Sequence, residues 1–441
     1  MDKPQILSNV ENLTAEQLYG YISRGTVNLE ELRQTERLDN AKRKAIIALS
    51  SKYEEEDENT WNTGKYTESG CRAYLEKYPN GIHVKEARDE IDHFNKMRRE
   101  ADVLKRRVID GLRSKPNSFT PGMLQKYLKE GTIKRADLED SGIPSNIIDR
   151  LDNIVSPKLQ LGKVPEFIPD GFTEVYFWGI PGSGKTCALA AILNTSERSG
   201  YLEIAEGPGF DYMTKLKNIF VNTVAILPPP SPVETTQYLP FVLKKGKDKP
   251  RSVALIELSG EIFECFVHKS ADQLGNLSDT HRSTFDSLIN FLNGSNRKIH
   301  FFFIDYEKEN LVDANGYRQS DYLQAAATFF KNNDIFRKKT DAIYIVLTKS
   351  DLMPCAEEDR VAYAKEYLKR NDFIAFTNSL KERCRQHSIN GGKLTVEPFS
   401  LGKVYFQQLC SLDRTASSKI IDILLDRIPP NGKSILDIFN Q

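Results

Sequence analysis

A chain of 441 residues is too long for one compact core, so we expect about two or three domains. Lysine plus arginine equals aspartate plus glutamate, at 61 each, so the net charge provides no field for attracting nucleic acid or an anionic membrane. The six cysteines stand singly, without zinc-site spacing or the density of a disulfide scaffold. With no apolar run near the roughly 20 residues that span a bilayer, we expect a cytoplasmic protein without membrane spans or nucleic-acid partners.

The first part of the chain has a helical pattern and contains two related units, at 13–50 and 119–154. Thr14 in the first unit matches Thr120 in the second, and each unit has a glycine where the first helix would stop. A threonine that caps a helix and a glycine that ends it predict a short amphipathic helix in each unit, followed at once by another.

Between these units, residues 74–91 ("YLEKYPNGIHVKEARDEI") predict a helix pair of the tetratricopeptide kind, because a Pro-Asn-Gly turn separates two helical stretches. Solenoids need about three repeats, so one pair does not predict an array. The apolar stripes of the helical part have two interpretations, a bundle core or a docking surface. We expect an unidentified protein partner to bind here.

Residues 155–172 are rich in proline and glycine, which punctuate regular structure. We therefore predict an all-helical domain at 1–154, a linker at 155–172 and a second domain at 173–441. No catalytic constellation stands out in the first of these.

In the second domain, short β-branched or aromatic runs alternate with helical stretches. These runs are 173–179, 252–258, 298–305, 342–348 and 393–400. Near-continuous apolar strands that alternate with helices predict an α/β fold with a mostly parallel sheet covered on both faces. Ligands of such sheets bind at the carboxyl ends of the strands, and polar segments follow these runs.

The first run leads into "GIPGSGKT", residues 179–186, which completes the G-x-x-x-x-G-K-[ST] phosphate-loop pattern. Glycines let successive backbone N–H groups point at a phosphate, Lys185 supplies a charge for the terminal phosphates, and Thr186 offers a hydroxyl to Mg²⁺. The alternative is an ordinary glycine-rich turn. The predicted phosphate-binding residues are Gly179, Gly182, Ser183, Gly184, Lys185, Thr186 and Cys187.

"TKSD", which follows the run at 342–348, indicates the base. The Asp351 carboxylate can accept two hydrogen bonds from the ring N–H and exocyclic amine of guanine, whereas adenine presents a lone pair there. The stem of Lys349 can lie along the base. The predicted base-binding residues of this motif are Thr348, Lys349 and Asp351.

With these motifs in this order, residues 170–430 resemble a Ras-like (TRAFAC-type) P-loop GTPase domain. The resemblance implies that the ligand is GTP or GDP with Mg²⁺. Ser400 and Leu401 stand where the family has its S-A-K loop, which implies a backbone N–H on the guanine carbonyl. Glu257 and Gly260 stand at the ends of the D-x-x-G motif, which implies a magnesium carboxylate and an amide for the γ-phosphate.

The resemblance also implies a switch threonine that contacts Mg²⁺. The segment between Gly200 and Arg251 is unusually long and rich in proline, and it contains Thr235 and Thr236. Either can serve, and spacing to Glu257 favours Thr235. The alternative interpretation of the segment is a surface loop.

Two departures from the family pattern fall on catalysis. Glu257 replaces an aspartate, and Glu261 replaces the water-positioning glutamine with an anion. The sequence thus predicts a GTP-hydrolysing switch that is slow without an activator, with Lys185 as catalytic cation and Glu261 in the water-positioning place. The alternatives are a GTP-binding adaptor with little or no hydrolysis, and a P-loop ATPase whose magnesium carboxylate would be Asp305. The candidate arginine fingers in cis are Arg198, Arg251 and Arg282.

Overall fold

The computed structural model describes most of the chain. The described residues are 1–35, 37–157, 159, 168–204, 206–207, 209–228, 236–270, 277–336 and 339–430. They form two compact units, Met1–Asp110 and Gly111–Gln441. The division at 155–172 remains a prediction from the sequence.

The first unit is built from helices packed on two small apolar clusters. Its helices are α1 (Lys3–Ser8), α2 (Ala15–Ser23), α3 (Leu29–Arg33), α4 (Asn40–Gly64), α5 (Glu68–Lys77) and most of α6 (Val84–Ser114). Thr14 and Gln17 form the predicted capping box at the start of α2. In the helix pair, the buried Asp57 of α4 fixes the turn between α5 and α6, because it accepts hydrogen bonds from the Tyr74 hydroxyl and from the Ile82 N–H at 2.9 Å.

The second unit begins with three further helices. They are α7 (Pro121–Lys129), α8 (Arg135–Glu139) and α9 (Ser145–Arg150). Thr120 caps α7 through the N–H of Met123. In both related units, a helix of 9 residues and a helix of 5 residues flank a left-handed glycine, with φ +67° at Gly25 and +73° at Gly131. Glycine suits this turn because a left-handed backbone is strained for other residues.

A seven-stranded sheet forms the centre of the second unit. Its strands are β1 (Thr173–Trp178), β2 (Leu202–Ile204), β4 (Gln237–Leu243), β5 (Arg251–Glu257), β6 (Arg297–Asp305), β7 (Thr340–Thr348) and β8 (Thr395–Phe399). They lie in the order β2-β4-β5-β1-β6-β7-β8. The run β5-β1-β6-β7-β8 is parallel, so the predicted mostly parallel sheet is confirmed. β2 and β4 are antiparallel additions that the sequence did not predict.

Both faces of the sheet are covered, as the continuous apolar strands predict. Along β1, Val175 and Phe177 face one apolar cluster while Tyr176 and Trp178 face the other, because successive strand side chains alternate. The first face is covered by α10 (Lys185–Arg198), α11 (Phe210–Asn218) and α17 (Thr415–Arg427). The second is covered by α12 (Ile262–Ser270), α13 (Asp279–Asn293), α14 (Gln319–Asn332), α15 (Arg360–Tyr367) and α16 (Asn371–Gln386).

A three-stranded sheet completes the second unit. It has the order β3-β10-β9, with β3 (Ala225–Ile226), β9 (Gly402–Tyr405) and β10 (Leu409–Leu412). Its hairpin turn holds Phe406 and Gln407 at φ +55° and +62°, both in the left-handed region. Among the described residues, no helix has the length and apolar character needed to cross a bilayer.

Candidate nucleotide-binding site

The carboxyl ends of the parallel strands open into a cavity of about 530 Å³ within the second unit. Each strand end contributes part of the wall, as expected for an open α/β sheet. Prominent lining residues are Gly182, Lys185, Thr186, Glu257, Gly260, Lys308, Lys349, Asp351 and Leu401. The predicted phosphate loop, the Glu257–Gly260 segment and the "TKSD" segment therefore meet around one space.

The predicted phosphate loop joins β1 to α10, which begins at Lys185. Gly182 and Gly184 have φ of +71° and +88°, so the turn needs residues without a Cβ. The Lys185 ammonium donates hydrogen bonds to the carbonyl oxygens of Gly179, at 2.6 Å, and Ile180, at 3.0 Å. The N-terminus of α10 faces the cavity, and the partial positive charge of a helix N-terminus suits an anion.

Lys185 is buried in a place that disfavours its charge. Burial lowers its pKa to about 7, the nearby Glu257 opposes this shift, and the positive charge of Lys308 adds to it. A polyanion in the cavity would reverse this shift, because an opposite charge stabilises the protonated amine.

Glu257 closes the cavity beside the phosphate loop. The Thr186 hydroxyl donates a hydrogen bond to one carboxylate oxygen, and the Tyr212 hydroxyl donates to the other at 2.7 Å. Burial raises the pKa of Glu257, while both hydrogen bonds and Lys185 lower it. The extra methylene of glutamate does not keep this carboxylate from Thr186. No sequence motif includes Tyr212, which comes from α11.

The Thr186–Glu257 pair fits part of a magnesium site. A hydroxyl and a carboxylate oxygen are hard ligands of the kind Mg²⁺ takes, and nucleotide phosphates commonly supply others. Within the described residues, no group of three or more His, Cys, Asp or Glu side chains could hold a metal by itself.

The structure describes only one of the two candidate switch threonines. Thr235 lies outside the described residues. Thr236 directly precedes β4, where Gln237 pairs with Glu257, so its backbone lies next to the carboxyl end of β5. Its hydroxyl is buried and has no hydrogen-bond partner among the described part of the chain.

The base-binding motif is tied to the phosphate loop. Thr348 donates from its hydroxyl to the carbonyl oxygen of Ser183 at 3.0 Å. Asp351 is exposed at the cavity wall, and the Ser400 hydroxyl donates to one of its carboxylate oxygens at 2.6 Å. The Gly402 N–H in turn donates to the Ser400 hydroxyl at 3.0 Å. The predicted guanine-binding residues that follow β7 and β8 are therefore brought together.

Asp305 has a different environment from the one that the ATPase alternative requires. It is fully buried at the end of β6, one oxygen accepts the Glu307 N–H at 3.0 Å, and the other lies 3.0 Å from the Lys349 ammonium. Asp305 is absent from the described cavity wall, where Glu257 instead contacts Thr186. The carboxylate beside the phosphate loop is that of Glu257.

Gly260 lines the cavity and approaches the phosphate loop so closely that an added Cβ would lie 2.1 Å from the Pro181 nitrogen. The predicted catalytic groups beyond Lys185 are outside the described cavity wall. Glu261, whose N–H donates to the Ser259 hydroxyl at 3.3 Å, is not among the described lining residues. The same holds for the three candidate arginine fingers, Arg198, Arg251 and Arg282.

Sequence reasoning also missed Lys308, Asn117 and Gln407, which line the cavity. Lys308 follows β6, so the rule that ligands bind at strand ends could have indicated it. Asn117 lies just before the second helical unit and receives two hydrogen bonds from Gln407. The Gln407 N–H donates to the Asn117 side chain at 3.2 Å, and the Gln407 side chain donates to the Asn117 carbonyl at 2.9 Å.

Comparisons with known proteins give only weak likenesses. No family model and no curated protein matches the chain. Among solved structures, the GTP-bound GTPase-like domain of Ski7 from S. cerevisiae is similar at 15% identity and a TM-score of 0.26, over 53% of this chain and 43% of that chain. Nucleolar GTP-binding protein 1 from Plasmodium falciparum is similar at 14% identity and a TM-score of 0.24, over 59% of this chain and 95% of that chain. Such weak similarity does not support an assignment of the site, which therefore depends on the residues of this chain.

Proposed function

We propose that this chain is a guanine-nucleotide-binding protein that hydrolyses GTP slowly and acts as a molecular switch. One observation carries the proposal: Asp351, Lys185 and the Thr186–Glu257 pair line a single cavity of about 530 Å³ at the carboxyl ends of the strands. Each of these groups suits a different part of GTP. Their spatial convergence is stronger support than any one motif.

The phosphates are bound by the loop at 179–186 and the N-terminus of α10. Backbone N–H groups at a helix start favour anions through the partial positive charge there. Lys185 adds a full charge in a buried setting, where an ion pair is screened less than in water. Lys185 also stabilises the charge that develops as water attacks the γ-phosphate.

Guanine is selected by Asp351. Its carboxylate accepts from the ring N–H and the exocyclic amine of guanine, and adenine would place a lone pair against it. The Ser400 hydroxyl orients this carboxylate. The ATPase hypothesis is less well supported. It requires Asp305 as the magnesium carboxylate, but Asp305 contacts Lys349, and the carboxylate that contacts Thr186 is that of Glu257.

Thr186 and Glu257 are the residues that would hold Mg²⁺. Bound with GTP, Mg²⁺ neutralises charge on the β- and γ-phosphates. Tyr212 holds the Glu257 carboxylate in position from its other oxygen. Of the two switch threonines, the buried hydroxyl of Thr236 supports it as a candidate, and Thr235 remains the choice that spacing favours.

Asn117 offers a route by which the helical part could sense the nucleotide. It lines the cavity, bonds to the β9–β10 turn and stands directly before the second helical unit. A switch that orders the Gly260 segment around the γ-phosphate and releases it after hydrolysis could act on a protein partner in this way. The partner and the cytoplasmic location remain predictions from the sequence.

A GTP-binding adaptor with little or no hydrolysis is the second candidate. It is favoured by Glu261, which is outside the described cavity wall and carries the wrong charge for positioning an attacking water. Phosphate release by the purified protein with GTP and Mg²⁺ separates the two candidates.

The test of guanine recognition is calorimetric titration of the wild type and Asp351→Asn with GTP, XTP and ATP. Asparagine can donate an amide N–H to the carbonyl that xanthine has in place of the guanine amine. We expect the wild type to prefer GTP and the variant to lose tenfold or more in GTP affinity while gaining for XTP, since a site that leaves polar groups unpaired discriminates strongly. Equal GTP binding by both proteins, or a wild-type preference for ATP, would contradict the proposal.

A further inference from the structure

Lys308 lies on the phosphate loop, although no motif includes it. It ends the 3-10 turn Tyr306–Lys308 that follows β6. Its ammonium donates a hydrogen bond to the carbonyl oxygen of Pro181 at 2.6 Å, and it would lie 2.9 Å from a Cβ added at Gly182. The half-buried side chain also lines the cavity. A second lysine therefore points its charge at the loop.

Lys308 continues a pattern begun by Lys185. The ammonium of Lys185 binds the carbonyl oxygens of Gly179 and Ile180, and that of Lys308 binds the next one, of Pro181. Successive carbonyls on one side of the loop are thus bound by two cations, while the loop can turn its N–H groups toward a ligand. The two lysines that hold the loop are far apart in the chain.

The position of Lys308 along the nucleotide follows from Gly260. Gly260 packs directly on the Ile180–Pro181 peptide, where an added Cβ would clash with backbone atoms. Gly260, Pro181 and Lys308 also line an adjoining cavity of about 310 Å³, to which Lys349 and Asp351 do not contribute. Lys308 therefore lies toward the end of the site where the terminal phosphate is expected, and away from the base.

Electrostatics favour an anion between these lysines. Among the described residues, no carboxylate lies within ion-pairing distance of the Lys308 ammonium, which donates its hydrogen bond to the neutral Pro181 carbonyl. Burial lowers the pKa of Lys308, Asp305 opposes the shift, and Lys349 adds to it. Like charges held near one another in a partly buried place favour a multivalent anion.

We propose that Lys308 is a second phosphate-binding cation, supplied by the chain itself, that contacts the terminal phosphate of GTP. This inference rests on the proposed function. In hydrolysis, the oxygen of water bonds to the γ-phosphorus, the bond to the β–γ bridging oxygen breaks, and the protons of the water pass to phosphate oxygens, giving GDP and inorganic phosphate. Lys308 stabilises the negative charge on the transferred group, a role that an arginine finger fills elsewhere.

The test compares Lys308→Met, which keeps the length of the stem but removes the charge, with Lys308→Arg and with the control Lys331→Met. Lys331 is exposed on α14, outside the described walls of both cavities. Dissociation constants for GTP and GDP are measured by calorimetry with Mg²⁺, and phosphate release is measured under saturating GTP. GDP affinity reports on whether the site of each variant is intact.

We expect Lys308→Met to weaken GTP binding by about tenfold or more while changing GDP affinity less than about threefold, the size of one lost charged hydrogen bond. Lys308→Arg should retain most of the preference for GTP, and Lys331→Met should match the wild type. Any measurable phosphate release should fall with the loss of charge.

Two results would overturn the assignment of Lys308. One is an equal loss of GTP and GDP affinity in Lys308→Met that Lys308→Arg also shows, which would mean that the lysine only supports the loop. The other is unchanged GTP affinity in Lys308→Met. A wild-type protein that binds neither GTP nor GDP would instead overturn the proposed function and this inference together, so the two failures are distinguishable.

Discussion

Replacing Tyr212 by phenylalanine removes one of the two hydrogen bonds that hold the Glu257 carboxylate. The phenol lies 2.7 Å from the carboxylate, and both side chains are buried, so water does not readily replace the lost donor. A hydrogen bond to a charged group contributes about 1.5–3 kcal/mol. We expect the free energy of unfolding of the second unit to fall by about this amount at pH 8.

The loss of unfolding free energy in Tyr212→Phe should be larger at high pH than at low pH. Burial raises the pKa of Glu257 and the Tyr212 hydrogen bond lowers it, so Tyr212→Phe raises this pKa further. A raised folded-state pKa means that stability is lost as pH rises, because the ionised carboxylate loses more free energy from the missing donor than the neutral carboxyl does. The difference in unfolding free energy between wild type and variant should therefore shrink as pH is lowered from 8 toward 5.

Tyr238→Phe provides a matched control. Tyr238 is equally buried, but its hydroxyl has no hydrogen-bond partner among the described residues. Its removal should change stability by less than about 0.5 kcal/mol or increase it. Urea unfolding followed by tryptophan fluorescence in a Trp61→Phe background reports on the second unit, because the chain has only two tryptophans and Trp178 lies in β1. Equal effects of the two tyrosine substitutions, or a cost independent of pH, would refute the reasoning.

Two further predictions concern ligand binding. Burial lowers the pKa of Lys185 to about 7, and bound phosphates should raise it, so GTP binding at pH 8 should take up protons and weaken as pH rises. Calorimetry in buffers of different ionisation enthalpy measures this proton uptake. Its absence would contradict the role of Lys185. Asn117→Ala removes an acceptor from the strained turn at Gln407 and should weaken GTP binding by about two- to tenfold, whereas the exposed Asn153→Ala should not.

The parts of the site that the sequence predicted are local in the chain. The phosphate loop and the "TKSD" segment each lie within a few residues, directly after strands whose continuous apolar character marks a buried parallel sheet. The chemistry of each segment can therefore be predicted from its local sequence. The structure adds that Thr348 and Ser183 join the two segments by a hydrogen bond.

The features that the sequence did not predict have two physical causes. β4 carries Pro240 opposite Ala254 of β5, and because a proline in an interior strand removes a ladder donor, the sequence predicts no strand there. Tyr212, Lys308 and Asn117 come from segments without a motif, and their partners lie 45, 127 and 290 residues away. Contacts at such separations depend on the folded topology and leave no local pattern.

The perturbed groups around the phosphate loop share one cause, which links ligand binding to protonation. Burial lowers the pKa of Lys185 and of Lys308 and raises that of Glu257, so each is pushed toward its neutral form in the protein alone. A phosphate chain opposes the shift of both lysines, and a divalent cation opposes that of the carboxylate. In the proposed site, these charges would therefore be fully developed only with nucleotide and metal both bound. Nucleotide without Mg²⁺ should raise the pKa of both lysines but leave the raised pKa of Glu257 unchanged. The proton uptake on GTP binding should therefore differ with and without Mg²⁺.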